Sequence, residues 1–178
     1  MRRIGETLLI GLVAAGCIGG PDPYPLLTPP GAESFHPAGL GVPVPGVVLF
    51  VQVLPGDSVE LVSAQPVGLA DGAQATFYYA PPEPMPGGGL MTGDTREPLP
   101  GAVFTPRPGA TYGADTAFGV LAVVTASRPG RYTLSGVRLT FRIDDQPPET
   151  KEGITELFTI CADNPAPASC EGDASSGP

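Results

Sequence analysis

Breaks come so often in this chain that no long helix fits between them. Twenty-four Pro and 25 Gly fall among 178 residues, and each Pro fixes φ and removes a backbone donor. Between the breaks lie short runs rich in Val, Leu, Phe, Tyr and Thr, which is the composition of strands bounded by turns. With 42 % hydrophobic residues there is material for one modest core, and a chain of this length is expected to build one domain.

The strand runs are readable one by one. Val47 to Leu54 is apolar on both faces for part of its length, and Pro55-Gly56-Asp57 follows with turn chemistry before a second run from Ser58 to Ser63. These two are expected to form a hairpin. In Ala73 to Ala80, Ala75, Phe77 and Tyr79 alternate with Thr76, Tyr78 and Ala80, so one aromatic face is expected inside. Gly101 to Thr105 is a short edge strand with Phe104 inward. Thr116 to Ala126 is apolar on both sides and belongs in the middle of a sheet. After Arg128-Pro129-Gly130, the run from Arg131 to Ile143 places Tyr132 and Leu134, then Val137, Leu139, Phe141 and Ile143 inward, with a phase slip at Ser135-Gly136. A slip of one residue sends later side chains to the opposite face, so Gly136 marks a bulge or a bend between sheets. Ile154 to Cys161 closes the set with Phe158 and Ile160 on one face. Six or seven strands with regular turns give an all-β, antiparallel immunoglobulin-like β-sandwich of about seven strands, with a small barrel as the alternative.

Two segments resist this reading. Gly19 to Pro45 carries eight prolines and is expected to be a stalk in extended polyproline geometry, reaching up to roughly 80 Å at about 3.1 Å per residue. Pro81 to Pro100 carries six prolines around Gly87-Gly88-Gly89 and is expected to be a long surface loop without regular strands. Loops of that length inside a domain are more often functional than structural, so Leu90, Met91 and Asp94 are the candidate binding residues.

The start of the chain carries an address. Arg2 and Arg3 precede an apolar run from Leu8 to Ala15, and small residues stand before Cys17. The apolar stretch Thr7 to Ile18 is 12 residues long, too short for a membrane span of about 20. Val13-Ala14-Ala15-Gly16-Cys17 resembles the lipobox of a bacterial lipoprotein signal, with Ala14 where Leu is usual. The resemblance implies cleavage before Cys17 and lipid on its thiol and amine. Residues 1–16 are then a signal peptide, 17–45 the anchored Pro-rich stalk, 46–162 the sandwich domain and 163–178 a C-terminal tail. Two or three acyl chains hold a protein essentially permanently, since each buried methylene is worth about 0.8 kcal/mol. With Cys17 lipidated, Cys161 and Cys170 remain, and an exported compartment lets them pair. Such a bond pins the tail to the last strand.

Pro129-Gly130-Arg131-Tyr132-Thr133-Leu134 followed by Val137-Arg138-Leu139-Thr140-Phe141-Arg142 resembles the penultimate strand of immunoglobulin-like domains in bacterial surface proteins, and the texture is similar to that of uncharacterised actinobacterial surface lipoproteins. The resemblance implies a fold and lends no catalytic residue.

Charge and residue inventory exclude several functions. Nine Lys+Arg against 18 Asp+Glu give a net charge of -9, which repels phosphate backbones and excludes nucleic acid as a partner. His36 is the single imidazole, so no site needing two exists, a blue-copper centre included. It falls in the stalk and is expected to be a solvated loop residue. No nucleophile elbow, Ser-x-x-Lys pair or zinc-helix motif occurs. Asp144-Asp145 with Glu149, Glu152 and Glu156 lack a calcium-loop pattern and are expected to be a solvated face. The expectation is therefore a non-enzymatic, lipid-anchored binding or structural module of the bacterial cell envelope, held to the membrane by lipid on Cys17. It has an envelope protein or glycan as partner, and no catalytic residue, metal or cofactor is assigned. A periplasmic-type ligand or metal carrier and a carboxylate-dependent envelope hydrolase are the alternatives.

Overall fold

The computed structural model describes residues 26–27, 33–84, 90–92, 96–111, 114–154 and 156–170. Its strands are β1 (Leu26–Leu27), β2 (Glu33–Gly39), β3 (Val44–Gln52), β4 (Val59–Val67), β5 (Ala73–Ala80), β6 (Pro82–Pro84), β7 (Leu90–Thr92), β8 (Glu97–Pro98), β9 (Val103–Phe104), β10 (Ala117–Ala126), β11 (Gly130–Leu134), β12 (Gly136–Ile143), β13 (Glu149–Gly153) and β14 (Leu157–Asp163). A single 3-10 turn, Ala114–Thr116, is the helical element among the described residues. The expected all-β architecture is present with more strands than about seven. The additions are short edge segments, the strand β13 in the acidic stretch, and β2.

One sheet runs β1-β3-β10-β5-β8, a second β11-β14-β2, a third β13-β12-β4-β9, and β6 pairs with β7. The chain passes from β11 in the second sheet to β12 in the third across Ser135 alone, so these two sheets form a layer opposite the first. β14 and β12 both contact β3 across the core, and β4 contacts β5. The layers close over one cluster drawn from all three sheets, with Leu49, Val51 and Phe118 from one side and Leu61, Leu139, Leu134, Phe158 and Ile160 from the other. Sheets packed face to face in this way make a sandwich.

β10 lies between β3 and β5, as its two apolar faces demand, and it is buried over most of its length. Its partner β3 carries a bulge: Val120 faces Leu49 while Leu121 faces Val47. The extra residue, Val48, explains how Val48 and Leu49 are both fully buried although adjacent, because a bulge resets the alternation of faces.

Val47 to Leu54 and Ser58 to Ser63 do not form the expected hairpin. β3 pairs with β1 and β10, and β4 pairs with β12 and β9. The Pro55-Gly56 turn, with Gly56 at φ 98° and Asp57 N–H donating to the Leu54 carbonyl at 3.2 Å, carries the chain from one layer to the other. Val51 and Val53 then meet Val59 and Leu61 within the same core. Turn chemistry alone does not say whether the strands it joins lie side by side or face to face.

The slip at Ser135-Gly136 is the bend between sheets. Ser135 directs both its amide (3.0 Å) and its hydroxyl (3.2 Å) to the Val67 carbonyl, fixing the crossing point. Just before it, the Tyr132 hydroxyl donates to the Arg128 carbonyl at 3.0 Å. This bond ties the start of β11 to the Arg128-Pro129-Gly130 turn that precedes it.

The stalk expectation fails over part of its length. Residues 33–39 form β2, which lies parallel to β14 with Phe158 opposite Ser34 and Ile160 opposite His36, and β3 already begins at Val44. Pro37 does not prevent the strand, since a single proline is tolerated on an edge strand. His36 is not a solvated loop residue: its ring lies 4.7 Å from that of Phe158. Phe158 reaches this place because Gly46 on β3 has no side chain, and a Cβ there would run into the Phe158 ring.

Candidate functional site

The Pro81 to Pro100 segment was the expected binding surface, and it is not without strands. Pro82 faces Thr92, Glu83 faces Met91 and Pro84 faces Leu90 in a small antiparallel ribbon, and β8 pairs with β5, placing Glu97 opposite Tyr79 and Pro98 opposite Tyr78. Prolines are compatible with a ribbon that has no further strand on either side among the described residues. β6 contacts the Ala114–Thr116 turn and β10, so the ribbon that holds Leu90 and Met91 is seated at the entry to the central strand. Asp94, like Cys17, lies outside the described residues.

Beneath this region the core is aromatic. The rings of Tyr79, Phe104 and Phe118 stack with centroids 5.2 to 6.4 Å apart, within the range of favourable tilted contacts. Burial, with a smaller contribution from the Glu97 carboxylate, pushes the Tyr79 hydroxyl up from 10.0 to about 12. The folded state therefore holds the phenol proton more tightly than the unfolded chain. Stability from this group is complete below pH 10 and is lost as pH rises towards about 12. Urea midpoints recorded from pH 9 to 12 are expected to fall more steeply in the native chain than in Tyr79→Phe, and parallel curves would contradict the assignment.

The acidic residues do not converge. Asp144, at φ 46°, accepts from the Ser58 N–H at 3.0 Å and donates its own N–H to the Ser58 carbonyl at 2.9 Å, tying the end of β12 to the start of β4. Glu152 pairs with Arg138 at 3.2 Å in an exposed position, where such pairs contribute about 0–1 kcal/mol, and Glu60 pairs with Arg142 at 2.7 Å in a half-buried one. Among the described residues no group of three or more His, Cys, Asp and Glu side chains stands close enough to hold a metal ion.

Cys161 and Cys170 are joined by a disulfide, and Cys170 is buried although the residues just before it are mostly exposed. The bond holds the end of the described chain against β14. A polar cluster at the same strand was not foreseen from the sequence. Thr159, fully buried, donates to Glu33 Oε1 at 3.1 Å and receives the Thr133 hydroxyl at 2.8 Å, while Arg131 pairs with Glu33 at 3.5 Å and lies over the Phe35 ring at 5.0 Å. The available signal was the alternation of Glu33 and Phe35 against Ser34 and His36, four residues hidden by the prolines around them.

No protein-family model and no curated protein sequence matches the chain. Among solved structures it is similar to the ambient temperature fimbriae adhesin AtfE of Proteus mirabilis, at 14 % identity over 74 % of this chain and 98 % of that one. The TM-score is 0.24, an overlap too small to carry an argument about fold or function.

Proposed function

We propose that this chain is a non-enzymatic, lipid-anchored binding or structural module on the extracytoplasmic side of a bacterial envelope. The observation that carries the reading is the pairing of Cys161 with Cys170, because such bonds persist in oxidising, exported compartments. The lipobox-like Val13-Ala14-Ala15-Gly16-Cys17 supplies the address, with acyl chains on Cys17 as the anchor. The immunoglobulin-like reading of the sandwich fits a module that presents loops on a rigid scaffold. The binding surface is the Pro81 to Pro100 segment, and an envelope protein or glycan is its partner.

Crosslinking in native cells followed by affinity recovery tests this, comparing the native chain with a deletion of residues 85–95. One envelope component enriched with the native chain and lost with the deletion is the expected result. Equal recovery with both chains overturns the assignment of the surface, and turnover of an envelope polymer by the purified protein overturns the non-enzymatic reading.

A further inference from the structure

β2 differs from every other described strand. Its ladder with β14 is parallel, whereas all other described ladders are antiparallel, and parallel pairing is slightly the weaker per residue. Among the described strands β2 pairs with β14 alone, and Pro37 has no N–H to give to any ladder. Of its seven residues only Ala38 is buried. Its hold on the domain is the ladder, the His36 ring on Phe158, the Arg131 guanidinium over Phe35, and the contacts of Glu33 with Arg131 and Thr159.

β14 is the opposite case. Phe158, Ile160 and Ala162 belong to the core, and the Cys161–Cys170 bond fixes the strand at its far end. If β2 leaves, β14 presents a seven-residue open edge and an uncovered Phe158 ring, and an edge of that kind pairs with any strand that fits it. The segment that fits residue for residue is the β2 of another molecule.

The connection to β3 suits such a transfer. Four residues, Leu40 to Pro43, join the two strands. Gly41 has φ 74° and Val42 is 51 % exposed. Two backbone bonds, Leu40 N–H to the Asp163 carbonyl at 3.2 Å and Gly41 N–H to the Ala126 carbonyl at 2.8 Å, and the packing of the Leu40 side chain against the core hold the connection down. A short connection that opens, together with release of the two-residue pairing of β1 with β3, lets the strand between them reach a neighbour, which is the route to strand-swapped dimers.

We propose that β2 is an exchangeable strand: Glu33–Gly39 of one molecule docks along β14 of a second copy in the parallel register it holds along its own. The molecule's own β2 competes at an effective concentration on the order of millimolar. Exchange therefore belongs to concentrated or membrane-crowded protein and closure to dilute protein.

The test uses the full chain carrying Cys17→Ala with the Cys161–Cys170 bond formed. Isotope-labelled Glu33→Cys protein is mixed with unlabelled Leu157→Cys protein, since Glu33 and Leu157 are register partners and neither is buried. Because Glu33→Cys gives up the contacts with Arg131 and Thr159, labelled and unlabelled chains that keep Glu33 are mixed in parallel, where a mixed dimer by native mass spectrometry is expected and its absence overturns the proposal. After incubation, mild oxidation with diamide and digestion, mass spectrometry reads the crosslinks. The expected result is a link from position 33 of the labelled chain to position 157 of the unlabelled one, with a yield rising roughly tenfold or more between about 10 µM and about 1 mM. Absence of this link, or the random 33-to-33 and 157-to-157 links alone, overturns the proposal. A second measurement inserts four Gly and Ser residues after Val42, which lets β2 close on its own chain more easily and is expected to lower the link yield severalfold. An unchanged yield overturns exchange through this hinge.

Discussion

Phe118→Ala is expected to cost about 3–5 kcal/mol of unfolding free energy, the range for removing a fully buried aromatic ring. Phe118 is 0 % exposed and sits between Tyr79 and Phe104, with ring centroids at 5.5 and 5.2 Å. It lies on the strand that both β3 and β5 require as partner. Its loss leaves a cavity that two neighbouring rings cannot fill without leaving their own places. Val103→Ala is the control: Val103 lies beside Phe104 but is 56 % exposed, and surface changes of this kind stay within about 0.5 kcal/mol. Urea unfolding of both variants checks the contrast. A loss below about 1 kcal/mol for Phe118→Ala would mean that the layers do not close on this cluster.

Opening the Cys161–Cys170 bond is expected to cost about 2.5 kcal/mol on the chain-entropy account of a loop closed over a sequence separation of 9. The loss falls on β14, which carries Phe158 and Ile160 into the core, so a Cys161→Ser/Cys170→Ser double variant should unfold earlier in urea. Its protection against hydrogen exchange at Leu157–Asp163 should fall before that at β10. Indistinguishable midpoints with and without the bond would show that the tail contributes nothing to the domain. Protection lost equally along β10 and β14 would show that the bond acts globally and not through the last strand.

How much of this was legible in the sequence follows from which forces each pattern reports. Alternation over Val137, Leu139 and Phe141, and the double-faced run around Phe118, name the core correctly because burial dictates those residue types wherever the strand lies. Pairing is a longer-range matter. The Pro55-Gly56 turn announces a reversal, but the sheet that receives β4 is decided by β12, some eighty residues further on, whose Arg142 meets Glu60 across the ladder. The slip at Gly136 could be read as a bend because a change of phase has few physical causes. β2 was hidden by Pro37 and the prolines on either side of it: composition places a Pro-bearing stretch in a stalk, whereas a parallel ladder to the distant β14 leaves no local trace. The ribbon β6–β7 was lost for the same reason, and with it the fact that Leu90 and Met91 are held on strands.

The polar cluster of Glu33, Thr133 and Thr159 shows the same limit from another side. Each residue alone is ordinary for an exposed strand face. The parallel register places Glu33 within reach of Thr159, and the antiparallel register of β11 brings Thr133 to it from the opposite side. Only the assembled sheet makes a buried threonine satisfied, and no spacing in the sequence encodes that.

If, as proposed, this domain is carried on a lipid-modified Cys17 outside the cytoplasm, its N-terminus records it. The direct measurement is the intact mass and N-terminal peptide of the protein isolated from the membranes of its native cells. The expected result is a chain beginning at Cys17, carrying acyl modification on that residue and no free thiol at Cys161 or Cys170. A chain that retains Met1 to Gly16, with an unmodified Cys17 and reduced Cys161 and Cys170, would contradict it.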